Sequence, residues 1–259
     1  MKLLLLFILY AIALSAALAK NGFRSRGASN GKAGGKRSLG FARDFQPAPK
    51  RILIVGASGG TGRQLVAQAL ERGHAVTALV RNPSKLGIEH QNLRIVQGDV
   101  LDYASVEAAV RGQEAVISAL GHKQYFRPSR ILSEGTRNIL RAMETHGVPR
   151  FICQTSLGIG DSAGRMGLYY TFIVIPFVVP FYFWDKTRQE RLIAESKLEW
   201  VIVRPGALTN GEKRGVYRHG SGIGNFLWTV RISRADVADF MLNQLTDEAH
   251  LGTAVGVSW

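Results

Sequence analysis

The residues from Lys50 to Arg81, KRILIVGASGGTGRQLVAQALERGHAVTALVR, constrain the fold of this chain more than any other stretch. A short apolar run, Ile52 to Val55, leads into a glycine-rich turn and then into a helical pattern with apolar residues on one face. Gly73 ends that helix, and a second apolar run follows. A strand, a glycine turn, a helix and a second strand form the first unit of a doubly wound parallel sheet.

The turn Gly56-Ala57-Ser58-Gly59-Gly60-Thr61-Gly62 indicates a phosphate site. Gly56 permits a sharp turn off the strand, Gly59 lets the backbone approach a pyrophosphate, and Gly62 lets the helix pack close to the sheet. The amino end of the helix adds N–H groups and the positive end of a dipole. An ordinary tight turn is the alternative, but the flanking strand and helix favour a dinucleotide.

The residue that ends the second strand indicates which dinucleotide is bound. An acidic residue there would hold a ribose 2′-hydroxyl, whereas an arginine accommodates a 2′-phosphate. The chain has Arg81 and then Lys85, in the run RNPSK. A guanidinium can bind phosphate through two hydrogen bonds and the lysine adds a point charge. The sequence therefore predicts NADP(H) as the cofactor, and a solvated arginine at a strand end is the alternative.

The amino-terminal 50 residues differ in composition from the rest. Residues 1–19 resemble a secretory signal peptide, because Lys2 precedes an apolar run that ends in Ala-Leu-Ala. A membrane anchor is the alternative, although the run is short for a span. Residues 20–49 are basic and rich in Gly, Ser and Ala, which predicts disorder. That composition also fits a transit peptide, and a signal peptide followed by a transit peptide would direct the protein to a plastid of secondary origin. If the segment is only a flexible linker, the protein would remain in the ER lumen or be secreted.

Charge and cysteine content exclude several classes of protein. Residues 1–50 hold nine basic residues and one acidic residue, and so supply +8 of the net charge of +14. The remainder is modest and accompanies no nucleic-acid-binding motif, so we expect no nucleic acid partner. The single cysteine, Cys153, precludes an intrachain disulfide and a multi-cysteine zinc site. We predict a buried thiol, no metal site and a monomer.

Beyond Arg81, strand and helix patterns alternate, so we expect a three-layer α/β/α Rossmann fold over residues 50–259. The third strand ends at Gly98-Asp99-Val100, where Asp99 could accept a hydrogen bond from adenine or could cap the next helix. The fourth strand ends at Leu120-Gly121, whose small backbone would let the nicotinamide lie across the sheet edge. We interpret His122, which follows, as a loop residue, with a catalytic role as the alternative.

An apolar insert, residues 158–184, separates the fifth and sixth strands. Its end, LYYTFIVIPFVVPFYFW at residues 168–184, has the apolarity of a membrane span. Pro176 and Pro180 would break a helix there, and a span would separate neighbouring strands of the sheet. We therefore expect an apolar lid over the active-site crevice. Peripheral contact with a membrane or with a protein partner is the alternative.

Taken together, these motifs resemble the atypical short-chain dehydrogenase/reductases with an NAD(P)H-binding, NmrA-like domain, including their flavin-reductase branch (biliverdin reductase B). The resemblance covers residues 50–259 and also rests on the runs SEGTRNILRAMETHGV, DKTRQE, WVIVRPGALTNG and RISRADVADFML. It implies the following contacts: Gly56, Ser58, Gly59, Thr61 and Gly62 with pyrophosphate; Arg81 and Lys85 with the 2′-phosphate; Asp99 and Val100 with adenine; Leu120 and Gly121 with nicotinamide; and Ser156 in the position of the active-site serine.

The same resemblance bears on catalysis. Short-chain dehydrogenases use a Tyr-x-x-x-Lys pair as a proton donor, and this chain contains Tyr182 and Lys186. Tyr182 follows an apolar run rather than a clear helical pattern, so we read it as a lid residue, with a role as catalytic acid as the alternative. The flavin-reductase branch also carries a histidine where Gly206 stands here, which argues against biliverdin as the specific substrate.

Two hypotheses of function follow. In the first, the protein is an NADPH-dependent oxidoreductase that reduces a planar apolar acceptor such as a quinone, flavin or tetrapyrrole. Ser156 would hydrogen-bond the acceptor and Lys186 would offset developing negative charge. In the second, it is a non-catalytic NADP(H)-binding regulator or assembly factor.

Overall fold

A computed structural model describes residues 48–122, 125 and 127–259. The predicted signal peptide and nearly all of the basic segment lie outside the described residues. Within them lie ten strands and five α-helices.

The strands are β1 (Arg51–Val55), β2 (Ala75–Val80), β3 (Leu93–Gln97), β4 (Ala115–Ser118), β5 (Arg150–Gln154), β6 (Glu199–Pro205), β7 (Ala207–Thr209), β8 (Arg218–Gly220), β9 (Arg231–Ser233) and β10 (Thr253–Ser258). The α-helices are α1 (Gly60–Glu71), α2 (Tyr103–Val110), α3 (Ile131–His146), α4 (Pro180–Glu195) and α5 (Arg234–Asn243).

Eight strands form one twisted sheet in the order β3-β2-β1-β4-β5-β6-β10-β8. All neighbours are parallel except β8, which runs antiparallel to β10 at one edge. The chain builds outward from β1 to β3 and then crosses to β4, on the other side of β1. This reversal opens a crevice between the carboxyl ends of β1 and β4, which is where doubly wound sheets bind their ligands.

Helices cover both faces of the sheet, and β1 shows why. Ile52 and Ile54 lie in the core beneath α1 and α5, whereas Leu53 and Val55 lie in the core beneath α2 and α3. A strand buried on both faces carries no alternation of polar and apolar residues. The predicted doubly wound α/β fold is confirmed, and Cys153 is fully buried as predicted.

The insert, residues 158–184, is helical over much of its length. A π-helical segment, Tyr170–Val178, contains Pro176, and α4 begins at Pro180. Pro176 lies inside the π-helical segment, so the expectation that it breaks a helix was wrong, whereas Pro180 follows the non-helical Val179 and marks the break before α4. A proline is favoured in the first turn of a helix, where its missing N–H has no intrahelical acceptor. Among the described residues, no helix is both long and apolar enough to cross a membrane.

Candidate functional site

The glycine turn closes the amino end of α1 against the carboxyl ends of β1 and β4. Gly56 has a φ of +78°, and a Cβ built on it would lie 2.6 Å from the carbonyl oxygen of Ala119. A Cβ on Gly62 would lie 2.1 Å from the carbonyl oxygen of Gly56. Neither position therefore accepts a side chain.

This turn fits a diphosphate. Gly59 occupies the N-cap position of α1 and supplies no side-chain cap, and the first turn of the helix contains no acidic residue. The first N–H groups of α1 are thus directed at the crevice without a competing carboxylate, as anion binding requires. Ser58 is half-buried beside them and Thr61 is buried.

A cationic cluster lies at the carboxyl end of β2. Arg81 follows the strand and is exposed. Lys85 is also exposed and ends a short turn that Asn82 caps by accepting a hydrogen bond from the Ser84 N–H (3.1 Å). Arg63, on α1, donates a hydrogen bond to the carbonyl oxygen of Lys85 (2.5 Å) and so brings a third cation to the cluster.

Arg63 was missed in the sequence analysis. Its signal is its place directly after Gly62, so that it lies in the first turn of the helix at the phosphate turn.

The residues predicted to contact adenine are held by the turn after β3. One carboxylate oxygen of Asp99 accepts a hydrogen bond from the N–H of Leu101 (3.0 Å). Asp102, rather than Asp99, caps α2, accepting from the N–H groups of Ala104 and Ser105. Val100 is buried against α3. Contact of Asp99 and Val100 with adenine stays a prediction.

The Tyr182–Lys186 pair is assembled on α4. Both residues lie in this helix, so the expectation that Tyr182 lies outside a clear helix was wrong. The Tyr182 hydroxyl oxygen lies 3.5 Å from where a Cβ of Gly121 would be, which puts the phenol against the end of β4. The Lys186 Nζ lies 5.2 Å from the centre of the Tyr182 ring and donates to the carbonyl oxygen of Gln154 (3.3 Å). Lys186 is only 2% exposed.

Two further rings surround the phenol. His122 contacts the Tyr182 ring edge-on at 4.9 Å between centroids, and Tyr125 does so at 5.8 Å. Burial lowers the pKa of His122; the nearby charge of Asp185 opposes that change and the charge of Lys186 adds to it. Burial thus disfavours the charged form of the His122 ring that packs against the phenol.

Ser156 lies at the carboxyl end of β5, two residues beyond the carbonyl group that holds Lys186. It is half-buried, and its hydroxyl donates to the carbonyl oxygen of Leu157 (3.0 Å). Leu120, predicted to lie by the nicotinamide, is half-buried and packs on the core beside Gly121. The structure thus places Ser156, Tyr182, Lys186, Leu120 and Gly121 at the carboxyl edge of the sheet.

Buried polar groups fix α4 against its neighbours. Asp185, fully buried, accepts hydrogen bonds from the N–H groups of Leu132 (2.9 Å) and Ser133 (3.2 Å), and so caps α3. Glu190 pairs with the Arg204 guanidinium through two hydrogen bonds (3.0 and 2.6 Å) and accepts another from the Thr155 hydroxyl (2.6 Å). These contacts hold Tyr182 and Lys186 in place.

Arg234 brings a remote segment to the phosphate turn. A Cβ on Gly60 would lie 2.6 Å from the Cδ and 2.7 Å from the Nε of Arg234, so the arginine side chain lies directly over the first residue of α1. Its Nη1 donates to the side-chain oxygen of Asn210 (2.5 Å). Sequence reasoning missed this contact because Gly60 and Arg234 are far apart along the chain.

The fold and this site define a dinucleotide-binding protein of the Rossmann type. The NAD(P)H-binding family model matches residues 56–248, and the chain belongs to that family. The predicted membership of the atypical short-chain dehydrogenase/reductases is confirmed. The predicted cofactor NADP(H) is confirmed as well, since NAD(P)H binding defines the family.

Three relatives illustrate the range of this family. An uncharacterised chloroplastic protein of Arabidopsis thaliana is 32% identical over 64% of this chain and 62% of its own length. The photosystem II assembly factor Ycf39 of Synechocystis is 31% identical over 39% of this chain and 32% of its own length. The structure of the anaerobilin reductase ChuY of Escherichia coli O157:H7 is 25% identical, covers 80% of this chain and 96% of its own, and has a TM-score of 0.65. The match thus covers less than two thirds of the length of the Arabidopsis protein and of Ycf39.

Proposed function

We propose that the protein is an NADPH-dependent reductase of a planar apolar acceptor such as a quinone, a flavin or a tetrapyrrole. The position of the Tyr182 hydroxyl carries this proposal, because it lies against Gly121 at the sheet edge where the nicotinamide of a doubly wound fold belongs. The likeness to ChuY, whose name is that of a reductase, supports the same class of reaction.

The preference for NADPH over NADH follows from the cationic cluster. Arg81, Lys85 and Arg63 lie together where the adenosine ribose of a Rossmann ligand is held. No acidic residue stands at the end of β2 to accept from a ribose 2′-hydroxyl. Three cations favour a 2′-phosphate through charge-assisted hydrogen bonds.

Arg234 would add a fourth cation, at the pyrophosphate. Its side chain lies over Gly60, beside the exposed N–H groups of the first turn of α1. Asn210 orients the guanidinium by accepting a hydrogen bond from it. A guanidinium in this place supplements the helix dipole in holding a diphosphate.

The side chains at the sheet edge can deliver a proton to a reduced acceptor. When bound, NADPH would supply the hydride. The Tyr182 phenol would donate a proton to the acceptor atom that gains negative charge, and the buried Lys186 ammonium would stabilise the phenolate that remains. Ser156 would orient the acceptor by a hydrogen bond. The rings of His122 and Tyr125 would exclude water around the phenol.

The rate of NADPH oxidation with a panel of quinones, flavins and linear tetrapyrroles tests this proposal. The reaction is followed by loss of nicotinamide absorbance under anaerobic conditions, so that oxygen does not recycle the acceptor. We expect turnover with at least one class, and slower turnover with NADH. Failure of every acceptor to oxidise NADPH, in a protein that binds NADPH, would overturn the enzymatic proposal.

A second function, as an NADP(H)-binding assembly factor without turnover, is favoured by one observation. The insert exposes large apolar side chains, including Tyr169 (63%) and Phe177 (58%), which is typical of an interaction surface. The Synechocystis relative Ycf39 is named as an assembly factor of photosystem II. Tight NADPH binding by calorimetry without turnover of any acceptor would favour this function over the first.

We further propose that the protein works in a plastid. The basic, acid-poor residues 20–49 have the composition of a transit peptide, and the Arabidopsis relative is chloroplastic. A plastid also supplies NADPH. A fluorescent protein fused to residues 1–50 should enter plastids of a cell that has them, and its retention in the ER or export from the cell would contradict this placement.

A further inference from the structure

The large apolar side chains exposed in the described residues are concentrated in one place. Thirteen are exposed, and nine of them lie in two short segments, 168–178 and 226–228. The nine are Leu168, Tyr169, Phe172, Ile173, Phe177, Val178, Phe226, Leu227 and Trp228, and we call them the apolar patch. Scattered single exposures elsewhere need no explanation, but a concentration of this kind does.

The two segments form one continuous surface. The N–H of Gly167 donates to the carbonyl oxygen of Asn225 (2.8 Å), and the N–H of Asn225 donates to the carbonyl oxygen of Arg165 (2.9 Å). The rings of Phe172 and Phe226 meet edge-on at 6.3 Å. At about 200 Å² for a fully exposed large apolar residue, the patch exposes on the order of 900 Å², beyond what monomers usually leave in water.

The chain around the patch is cationic. Residues 162–184 contain Arg165 and no acidic residue, and residues 213–235 contain five Lys or Arg and no acidic residue. Lys213 pairs with Asp239, and Arg234 lies over the phosphate turn. Arg214, Arg218 and Arg231 therefore supply the positive charge of the second segment. The preceding carboxylate, Asp161, is paired with Arg204 at 2.5 Å. A second copy of the protein placed on this face would bring like charges together, which opposes self-association.

We infer that the apolar patch binds the surface of an anionic lipid bilayer. Exposed aromatic side chains, with Trp228 the most exposed at 74%, suit the boundary between headgroups and acyl chains. Arg and Lys residues beside an apolar face add attraction to anionic headgroups. This contact with the bilayer would be peripheral, and it does not depend on the proposed reductase activity.

The single native cysteine allows a site-specific test in the full chain. Cys153 is fully buried and burial raises its pKa to about 12, so it should not react with a maleimide. The variant Trp228→Cys carries an environment-sensitive fluorophore within the patch. The matched control, Ile95→Cys, carries the same label at an exposed apolar position (39%) on the opposite edge strand, β3. The unmodified protein checks that Cys153 remains unlabelled.

Vesicles of phosphatidylcholine with phosphatidylglycerol should shift the emission at position 228 to shorter wavelength and raise its intensity at least twofold. Pure phosphatidylcholine should give a smaller change, and high salt should reduce the response. The label at position 95 should not respond, even if residues 1–50 bring the chain to the vesicle. Adding Ile173→Ser to the Trp228→Cys protein should weaken vesicle binding and leave NADPH binding unchanged.

Three results would overturn the inference. One is no response at position 228 with either vesicle. Another is an equal fluorescence response at positions 228 and 95, which would mean that the apolar patch has no specific role in membrane binding. The third is a response at position 228 that depends on protein concentration without vesicles, which would assign the patch to contact between copies of the chain.

Discussion

At the scale of single residues, the site depends on a few side chains brought to the carboxyl edge of the sheet. We propose that Arg81 sets the choice of dinucleotide and Tyr182 the transfer of a proton, whereas Gly56 and Gly62 allow the close packing of the turn that would hold the phosphates. Gly56 and Gly62 do not tolerate substitution, because a Cβ atom added at either position would clash with backbone atoms, which cannot move aside. The roles of Arg81 and Tyr182 rest on charge and hydrogen bonding and can be tested by substitution.

Arg81→Asp should weaken NADPH binding by at least about 2 kcal/mol, or roughly thirtyfold, because repulsion replaces a charge-assisted hydrogen bond. NADH binding should change little. The matched control is Arg111→Ser, an exposed arginine at the end of α2, away from the carboxyl edge of the sheet. Calorimetric titration of each variant with both nucleotides measures the change, and parallel losses for NADPH and NADH would refute the role of Arg81.

Tyr182→Phe should lower kcat by about 10²- to 10⁴-fold, the usual contribution of a positioned acid, and leave the Kd for NADPH unchanged. Tyr125→Phe removes a hydroxyl from a ring that contacts Tyr182 and serves as the control. Steady-state kinetics with the best acceptor found supply the measurement. A Tyr182→Phe variant as fast as the unmodified protein would leave Tyr182 with the lid role first expected for it.

At the scale of elements, α4 connects the insert to Tyr182 and Lys186, the pair proposed for catalysis. It begins at Pro180, carries Tyr182 and Lys186 one turn apart, and uses Asp185 to cap a different helix, α3. The position of the pair therefore depends on buried hydrogen bonds made by other residues of α4.

Asp185→Ala should lower the free energy of unfolding by about 2 kcal/mol, because the amino end of α3 loses its cap and buried donors are left unpaired. It should also reduce kcat, since α4 loses its anchor. Asp102→Ala removes an exposed cap from α2 and should cost less stability than Asp185→Ala, with no loss of kcat. Urea denaturation and steady-state kinetics measure both variants, and equal effects of the two on kcat would argue against anchoring through Asp185.

The elements that sequence predicted well are those with local signals. The β1–α1–β2 unit was found from its glycines. Gly147, which ends α3 in the left-handed conformation, is a local signal of the same kind. The start of α4 was missed because its first residues, PFYFW, continue an apolar run with no helical periodicity. The contacts of Arg63 with Lys85 and of Arg234 with Gly60 join separate elements, and no local pattern encodes them.

At the scale of the whole molecule, buried ion pairs make stability depend on pH. Asp239 accepts hydrogen bonds from Arg72 (2.7 Å), Lys213 (2.6 Å) and Tyr217 (2.7 Å). Burial alone would raise the pKa of Asp239, but the bonds from Lys213 and Tyr217 lower it below the usual value. A carboxyl group whose pKa is lowered by folding stabilises the protein above its unfolded pKa, near 4, and loses that contribution as pH falls through the folded value.

The free energy of unfolding should therefore fall as the pH is lowered from about 5 to 3. In Asp239→Asn the free energy of unfolding should be lower at neutral pH. It should also change less between about pH 5 and 3. Urea denaturation at a series of pH values gives both quantities. An unchanged slope in Asp239→Asn would show that other carboxylates dominate the acid response.

The central claim is that the glycine turn and the cationic cluster together hold NADP(H). Calorimetric titration of the unmodified protein with NADPH and with NADH tests it most directly. We predict one NADPH bound per chain, with a Kd at least about tenfold below that for NADH, as one charge-assisted contact to the 2′-phosphate would give. Equal affinity for the two nucleotides, or binding of neither, would contradict the account.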